Sequence, residues 1–327
     1  MRTRASTLLS VVTVGVVTTI GALIPGLGPD AQAAFPGGNG RIAFHYGLNG
    51  GPIYTVRPDG KGRKRLTLPA VSLPTATSWK ATGKRILIED FRGIAIADAD
   101  GSNVGRAPLP DFPAPPGDDE SNPNKPWYSP AWAPDSSRFA VQYNSDDGPN
   151  QQIYVISFRG KKPKRVAFGI APVWDPKDRF IAYLGDTGRC EGIRGVKPNG
   201  TGDKALFAPT KRIINRSSQC LYSPFNFDIS PDGNRLAFVG LTSAKPSGSS
   251  KHDVYVVNIG GKAPRRLTTN GNARDVAWSP NGRLIAWTDD VGAVGARRAL
   301  WTVGVAGGKS RRILSGLVAD PSWQPVP

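Results

Sequence analysis

The chain contains few of the residues on which most enzyme mechanisms depend. Its 327 residues include only two histidines, two cysteines and one methionine. His45 and His252 are far apart in the sequence, so no histidine cluster indicates a zinc site. A Gly-x-Ser-x-Gly elbow, a P-loop and a dinucleotide-binding fingerprint are also absent. We therefore assign no catalytic residue and no organic cofactor, and a non-enzymatic function is favoured. Acid-pair chemistry of a carbohydrate-active hydrolase or lyase stays open as an alternative.

Outside the N-terminus the chain has no apolar segment long enough to span a bilayer. Arg2 and Arg4 precede an apolar stretch over residues 5–27, and Ala31-Gln32-Ala33 then matches the small-x-small cleavage pattern of a secretory leader. We expect residues 1–33 to be a signal peptide cut after Ala33, and residues 34–327 to form one domain. The length of the apolar stretch leaves an uncleaved membrane anchor as the alternative. The protein is expected to be secreted or held in the cell envelope.

Acidic residues are scarce relative to basic ones. The chain carries 25 acidic and 42 basic side chains, a formal net charge of +17. Such a charge favours polyanionic surroundings such as cell-wall polymers, anionic lipid headgroups or extracellular nucleic acid, although no specific nucleic-acid motif is present. Many basic residues share one place in the repeats described below, and together we name them the basic arc: Lys61, Arg63, Lys64, Arg65, Arg159, Lys161, Lys162, Lys164, Arg165, Lys262, Arg265, Arg266, Lys309, Arg311 and Arg312. The arc is a candidate polyanion-binding surface; the alternative is that these residues protect exposed sheet edges from aggregation.

What the chain has in abundance is glycine and proline, with 39 and 30 copies, as in all-β proteins with many turns. One phrase recurs: an aromatic residue, then Pro-Asp/Asn-Gly, then Arg and a run of strand formers. Its best copies are Ile229–Phe238 (ISPDGNRLAF) and Trp278–Trp287 (WSPNGRLIAW), and looser copies begin at Trp79, Trp132 and Trp174. A repeat this regular indicates a modular architecture.

Each copy expands into four short strands, A to D, separated by turn residues. The plan fits six times, and strand B begins near Arg41, Arg85, Arg138, Arg179, Arg235 and Arg283. The first unit has no strand A, whereas Asp320–Pro325 is a strand A with no strand B after it. We predict an all-β, six-bladed β-propeller with four antiparallel strands per blade, closed when the C-terminal strand joins the first blade.

The repeats resemble those of a known family. Ser230–Phe238 and Trp278–Trp287, with the following segments Val254–Thr268 and Ala299–Leu314, look like the WD40-like (PD40) repeats of the TolB-type six-bladed propellers. The resemblance covers essentially the whole mature chain. It implies a secreted or periplasmic binding scaffold and transfers no catalytic residues. Because the repeats begin next to the cleavage site, we expect the separate N-terminal domain of TolB to be missing.

The geometry of a blade separates structural residues from candidate functional ones. Recurring aromatic residues at one register are expected to pack between blades: Trp79, Trp132, Trp174, Trp278 and Trp323. The A–B and C–D turns share one face, here the bottom face, and the B–C and D–A loops share the opposite top face. The irregular loops all belong to the top face: residues 47–52, 107–128, 145–151, 210–224, 241–252 and 289–298. Variable loops on a rigid scaffold are the usual place of recognition. We therefore expect a monomer that binds a protein or an anionic envelope polymer through this face.

Cys190 and Cys220 fall in top-face loops of neighbouring blades. An even cysteine count in an oxidising compartment favours a disulfide between them, and two unrelated buried thiols are the alternative. Other candidate ligand contacts on this face are Asp90, Asp186, Asp289, Trp127 and Tyr128. Carboxylates aimed at the channel mouth could hold a cation such as Ca²⁺, but no EF-hand-like spacing supports this, and solvated loop acids are the alternative. Packing of Trp127 and Tyr128 on the rim is likewise an alternative to ligand contact.

Overall fold

A computed structural model of the protein describes residues 32–47, 50–110, 127–144, 151–160, 162–188, 190–209, 220–244, 250–289 and 298–327. The signal-peptide prediction therefore falls almost wholly outside the described residues. The first thirteen strands are β1 (Gln32–Ala33), β2 (Gly38–Tyr46), β3 (Ile53–Val56), β4 (Lys64–Arg65), β5 (Thr77–Trp79), β6 (Arg85–Asp90), β7 (Gly93–Asp98), β8 (Gly105–Arg106), β9 (Trp127–Trp132), β10 (Arg138–Asn144), β11 (Gln151–Ser157), β12 (Lys164–Phe168) and β13 (Ile170–Trp174). The remaining strands are β14 (Ile181–Asp186), β15 (Glu191–Val196), β16 (Lys204–Phe207), β17 (Pro224–Ile229), β18 (Arg235–Ala244), β19 (Ser250–Asn258), β20 (Arg265–Arg266), β21 (Ala273–Trp278), β22 (Leu284–Asp289), β23 (Ala299–Gly304), β24 (Arg311–Ser315) and β25 (Val318–Val326).

The strands form six blades, as predicted. From the inner to the outer strand the blades are β25-β2-β3-β4, β5-β6-β7-β8, β9-β10-β11-β12, β13-β14-β15-β16, β17-β18-β19-β20 and β21-β22-β23-β24. Neighbouring strands within every blade are antiparallel. Strand β25 pairs with β2, with Trp323 opposite Ile42 and Val326 opposite Gly38. The predicted closure by the C-terminal strand is therefore confirmed.

The Pro-Asp-Gly phrase forms the tight A–B turn for identifiable reasons. In blade 5 the Gly233 amide donates to the Ser230 carbonyl at 2.7 Å, and Asp232 accepts from the Asn234 amide at 3.1 Å. Gly233 has φ +70°, a conformation that glycine adopts without a steric penalty. The looser copies place Ser136 and Asp178 there at φ 59° instead. The turn geometry thus persists where the glycine does not.

The recurring tryptophans pack between blades, as expected. Trp132, Trp174 and Trp278 are buried. The residue that opens strand B then contacts the tryptophan of the next blade: the Arg138 guanidinium lies 5.1 Å from the Trp174 ring, and that of Arg235 lies 4.9 Å from Trp278. Cation–π contacts of this kind stabilise an interface on both sides. The arginine of the repeat is therefore an inter-blade contact.

Three features differ from the predicted strand plan. Strand β9 begins at Trp127, earlier than expected, so this residue belongs to a sheet and not to a loop. Strands β18 and β19 extend into residues 241–252, where a loop was expected, and Ala244 still pairs with Ser250. Strand β1 was not anticipated. It runs parallel to β17, with Gln32 beside Asp228 and Ala33 beside Ile229, and it also contacts β5, β9, β13 and β21. It therefore lies in the central channel.

Candidate functional site

A hollow on the top face of blade 2 presents apolar side chains to solvent. Its volume is about 560 Å³, and it is lined by Ser72, Leu73, Phe91 and Arg92. Leu73 is 61% exposed and Phe91 is 43% exposed. Ser72 and Leu73 come from the D–A loop that enters blade 2, and Phe91 and Arg92 form the turn between β6 and β7. We name this feature the blade-2 hollow.

Asp90 holds the two walls of the blade-2 hollow together. Its side chain is fully buried. One carboxylate oxygen accepts from the Ser72 amide at 3.1 Å, and the other accepts from the Arg92 amide at 2.9 Å. The Arg106 guanidinium donates to both oxygens, at 2.6 and 2.9 Å, and also to the carbonyl of Ala70 at 2.7 Å. Asp90, expected as a ligand contact, therefore positions the loops that carry Leu73 and Phe91.

The D–A loop at the hollow is backbone-strained. Ala70 has φ 62° and Leu73 has φ 47°, a left-handed conformation that costs energy in residues other than glycine. The Phe91 amide donates to the Ser72 carbonyl at 3.2 Å, which adds a direct link between the two walls. Strained backbone that is held by several independent contacts keeps the apolar side chains in one arrangement.

The predicted disulfide is present. Cys190 and Cys220 are bonded, with 6.0 Å between their Cα atoms. The bond joins the B–C loop of blade 4 to the segment that leads into blade 5, and the Ser223 hydroxyl adds a hydrogen bond to the Glu191 carbonyl at 3.2 Å. Residues 210–219, which the bond would restrain, lie outside the described residues. The bond therefore ties together two neighbouring blades at the top face.

The extended hairpin β18–β19 is tied to the neighbouring loop. The His252 amide donates to the Gly271 carbonyl at 3.0 Å, and the imidazole packs edge-on against Phe225 with 4.8 Å between ring centres. Asp253, fully buried, accepts from Arg266 at 2.6 Å and from the Thr268 hydroxyl at 2.8 Å. Arg266 of the basic arc is thus neutralised by a structural ion pair with Asp253.

The remaining predicted top-face residues are not brought together into one site. Asp289 accepts from the Ala299 amide at 2.6 Å across the base of its own loop, and Asp186 accepts from the Gly188 amide at 2.6 Å. Trp127 is buried against Tyr143, with 4.8 Å between ring centres, and Tyr128 is half-buried in β9. Within the described ranges, no group of three or more His, Cys, Asp or Glu side chains could hold a metal ion.

A second group of polar residues lies at the channel mouth between blades 6, 1 and 2. The sequence indicated carboxylates at the mouth, Glu89 among them, but not their grouping with His45, Arg274, Arg298 and Asp320. We name His45, Glu89, Arg274, Asp275, Arg298 and Asp320 the mouth cluster. His45 Nδ1 lies 2.7 Å from the Thr75 carbonyl and 3.2 Å from Asp320 Oδ2. Burial lowers the pKa of His45, and burial together with the charge of Asp275 raises that of Asp320 well above its usual range. The contact between His45 and Asp320 is therefore not a conventional ion pair.

Most of the mouth cluster is buried, while Asp320 keeps 15% of its side chain exposed and Arg274 is half-buried. Its side chains at His45, Glu89, Asp275 and Arg298 are buried. Glu89 accepts from the Thr75 hydroxyl at 2.7 Å and from the Ser129 amide at 2.6 Å, and burial raises its pKa. The Ser129 contact crosses from blade 2 to blade 3. The cluster is thus mainly a buried polar core, and Asp320 is its partly exposed carboxylate.

The basic arc is exposed at every residue that the structure describes; Lys161 lies outside them. Several of its arginines contact their own blade, since Arg63 stacks on Tyr54 at 4.2 Å and Arg165 on Phe168 at 4.6 Å. None of the arc's lysines forms an ion pair within the described part of the chain. A groove of about 650 Å³ nearby is lined by Lys197, Lys204 and Arg179, among others.

The bottom face also carries acids, which limits its positive charge. Asp98, Asp135, Asp178 and Asp203 lie in or next to its turns and pair with arginines. Arg138, for example, lies 3.0 Å from Asp135 and 2.9 Å from Asp178. The free positive charge of this face therefore comes from the arc's lysines together with arginines such as Arg65, Arg159 and Arg312, which form no ion pair among the described residues.

None of the described segments forms a helix with the length and hydropathy needed to cross a bilayer. No family model matches the chain, and no curated protein matches it. Solved structures do. TolB from Acinetobacter baumannii is 19% identical, with a TM-score of 0.64 over 88% of this chain and 67% of that one. A putative TolB from Agrobacterium tumefaciens is 14% identical, with a TM-score of 0.60 over 86% of this chain and 91% of that one.

The solved structure of an enzyme is also similar. An oligogalacturonate lyase in complex with manganese is 12% identical, with a TM-score of 0.52 over 80% of this chain and 70% of that one. Identities at this level show a shared fold and not a shared activity. Together with the six closed blades described above, these similarities show that the chain has the fold of the TolB-type six-bladed propellers.

Proposed function

We propose that the protein is an exported, non-enzymatic propeller that recognises a protein of the cell envelope through its top face. The observation that carries this proposal is the blade-2 hollow, where Leu73 and Phe91 are exposed beside Arg92. Exposed apolar side chains rimmed by polar groups are typical of protein-binding surfaces. Asp90 and Arg106 hold these side chains in place before binding, which lowers the entropy that ordering would otherwise cost.

The distribution of exposed apolar residues favours the same face. Phe168 is 56% exposed and ends strand D of blade 3, at the top edge of its blade. The disulfide and the β18–β19 hairpin supply further ordered structure on this face. The burial of Glu89 and Asp275 within the mouth cluster argues against catalysis by these two carboxylates. An envelope polymer in place of a protein is the alternative ligand for the same surface.

Binding of the purified mature protein to isolated cell envelopes tests the proposal. One portion of envelope is treated with protease, another with wall-degrading enzymes, and bound protein is measured after sedimentation. We expect binding that protease abolishes and wall digestion spares. Loss of binding after wall digestion alone would instead indicate a polymer ligand. Absence of saturable binding to any fraction would contradict recognition through this face.

A second candidate function is polyanion binding through the basic arc, and the exposed unpaired lysines favour it. Lys64, Lys164 and Lys204 occupy equivalent positions on the outer strands of blades 1, 3 and 4. Binding of this kind releases counterions, so affinity for an anionic polymer should fall steeply with salt. An affinity that does not change with salt would eliminate this function without affecting the proposal for the top face.

A further inference from the structure

Asp228 is a buried carboxylate at a place where the other blades carry no charge. It precedes Ile229, which occupies the register position of the recurring tryptophans, opposite the second residue of strand B. In the other five blades, the residue just before the recurring tryptophan is uncharged and buried: Ser78, Ala131, Val173, Ala277 and Ser322. Asp228 is 1% exposed. Blade 5 therefore departs from the repeat at this inner position. The departure costs folding free energy, because a carboxyl group is removed from water.

The partners of Asp228 are backbone amides. Its Oδ1 accepts from Ile229 at 2.7 Å and its Oδ2 from Trp278 at 2.6 Å. The backbone amide of Ala34 also faces it, because the β1–β17 pairing places this part of the chain beside Asp228. Among the described residues, no lysine, arginine or histidine forms an ion pair with Asp228. Burial raises the pKa of Asp228 well above its usual range despite these three donors. A cation placed beside this buried carboxyl group would favour its charged form and offset the cost of burial.

The N-terminal segment supplies the missing cation if the leader is removed where the sequence predicts. Residues 32–33 lie along β17 in the channel, and Ala34 and Phe35 are buried at 3% and 2% exposure. The chain leaves the channel at the bottom, where the Gly37 amide donates to the Pro280 carbonyl at 3.3 Å. The predicted cleavage site, Ala33–Ala34, is thus the peptide bond whose nitrogen already contacts the Asp228 carboxylate.

We propose that hydrolysis of the Ala33–Ala34 bond by a signal peptidase creates an α-ammonium group at Ala34 that is held in the channel as the counter-ion of Asp228. One water is consumed: its hydroxyl joins the Ala33 carbonyl carbon, and the Ala34 nitrogen gains the proton as the C–N bond breaks. At neutral pH the Ala33 acid ionises, and the new amine, with an ordinary pKa near 8, binds a further proton. One amide hydrogen bond is thereby replaced by an ion pair, and Phe35 seals the site from below.

A double-mutant cycle tests the pair. The thermal unfolding midpoint is measured for the protein that starts at Ala34 and for one that retains Gln32–Ala33, each with Asp228 and with D228N. We expect D228N to lower the midpoint of the Ala34 form by roughly 5 °C or more and to change the longer form by much less, because only the Ala34 form has a buried ammonium to leave unpaired. Ser78→Ala is the matched control. It removes an acceptor of the Trp132 amide at the equivalent position of blade 2 and should affect both forms equally.

Equal shifts by D228N in both forms would overturn the proposal. If D228N does not fold, the wild-type Ala34 form still decides the matter through labelling of its α-amine with an amine-selective reagent. Protection of this amine in the folded state, with rapid labelling after denaturation, supports the buried pair. Labelling at the rate of an unfolded peptide would contradict it, as would a mature protein whose first residue is not Ala34.

Discussion

Blade 2 carries an arginine–aspartate pair at each end, and the two pairs differ in what surrounds them. At the top, Asp90 is fully buried and is shared between Arg106 and two loop amides. At the bottom, Asp98 pairs with Arg85 at 3.1 Å while both side chains stay partly exposed, at 33% and 42%. The buried arginine–aspartate pair therefore fixes the shape of an irregular loop at the top. The exposed pair at the bottom lies on the surface of a regular turn and adds little to its shape.

This difference extends to the whole molecule. The bottom face is built from repeated turns, and most of its ion pairs are exposed and individually weak. Asp175, buried beside Arg179 in the A–B turn of blade 4, is an exception. The top face departs from the repeat and is held by single, specific links: Asp90, Asp253 and the Cys190–Cys220 bond. The regular turns connect the strands of the propeller. The top-face links hold irregular loops, whose side chains are not part of the repeated blade structure. Substitutions at the two ends should thus differ in their effects.

Removal of the disulfide should give the largest effect. The C190S/C220S variant should lose about 3–4 kcal/mol of unfolding free energy, because the bond closes a loop of about 31 residues in the unfolded chain. Urea unfolding of the oxidised wild type and the variant measures the loss. An unchanged midpoint would show that the top face does not depend on this link. Reduction of the wild type is the matched control and should reproduce the variant.

The two aspartates of blade 2 give the next contrast. D90N should cost about 2–4 kcal/mol, since it leaves Arg106 and the loop amides without their buried acceptor. D98N should cost less than about 1 kcal/mol, because its ion pair is exposed. Both are measured by urea unfolding under the same conditions. Equal losses would mean that burial does not distinguish the two pairs.

The pH dependence of stability should also differ in sign between the faces. Burial raises the pKa of Glu89 in the folded protein, so the unfolded chain loses this proton first as the pH rises, and the group destabilises the fold above about pH 4.5. The stability of E89Q relative to wild type should therefore increase between pH 4.5 and 8. A constant difference across this range would show that Glu89 titrates normally.

Asp100, in a bottom turn, provides the control of opposite sign. The Ser102 hydroxyl and amide lower its pKa from the ordinary value of 3.8. Its contribution is therefore present above pH 3.8 and is lost as the pH falls through the folded pKa. D100N should show no relative change between pH 4.5 and 8, which isolates the effect of Glu89.

Much of the fold could be predicted from the sequence, because each copy of the repeated phrase includes the residues that form its turn and its contact with the next blade. Gly233 permits the turn, Arg235 contacts the tryptophan of the next blade, and Trp323 completes the first blade. These contacts recur at one register, so a single copy explains the others. The disulfide was predictable because both cysteines fall at the same end of neighbouring blades.

The candidate site was less predictable, because its residues do not repeat. Asp90 looked like a ligand contact. Its partner Arg106 lies on strand D of blade 2, but its partner Ser72 lies in a D–A loop whose path the repeat does not specify. Leu73 is a single apolar residue in a D–A loop, and Phe91 is one in a short B–C turn. An isolated apolar residue in a connection is a weak signal of a binding surface. Strand β1 lies beside the predicted cleavage site, where the sequence indicates a leader rather than a strand.

Binding to cell envelopes by matched surface variants tests the central claim that the top face is the recognition surface. L73S/F91S removes the exposed apolar side chains of the blade-2 hollow, and V326S removes one that is 44% exposed at the opposite end. All of these side chains are exposed, so the unfolding free energy of each variant should stay within about 0.5 kcal/mol of the wild-type value. We predict that L73S/F91S binds at least about tenfold more weakly, as expected when anchors worth over 1.4 kcal/mol are lost, and that V326S binds like wild type. Full binding by L73S/F91S, with a loss for V326S, would contradict the account.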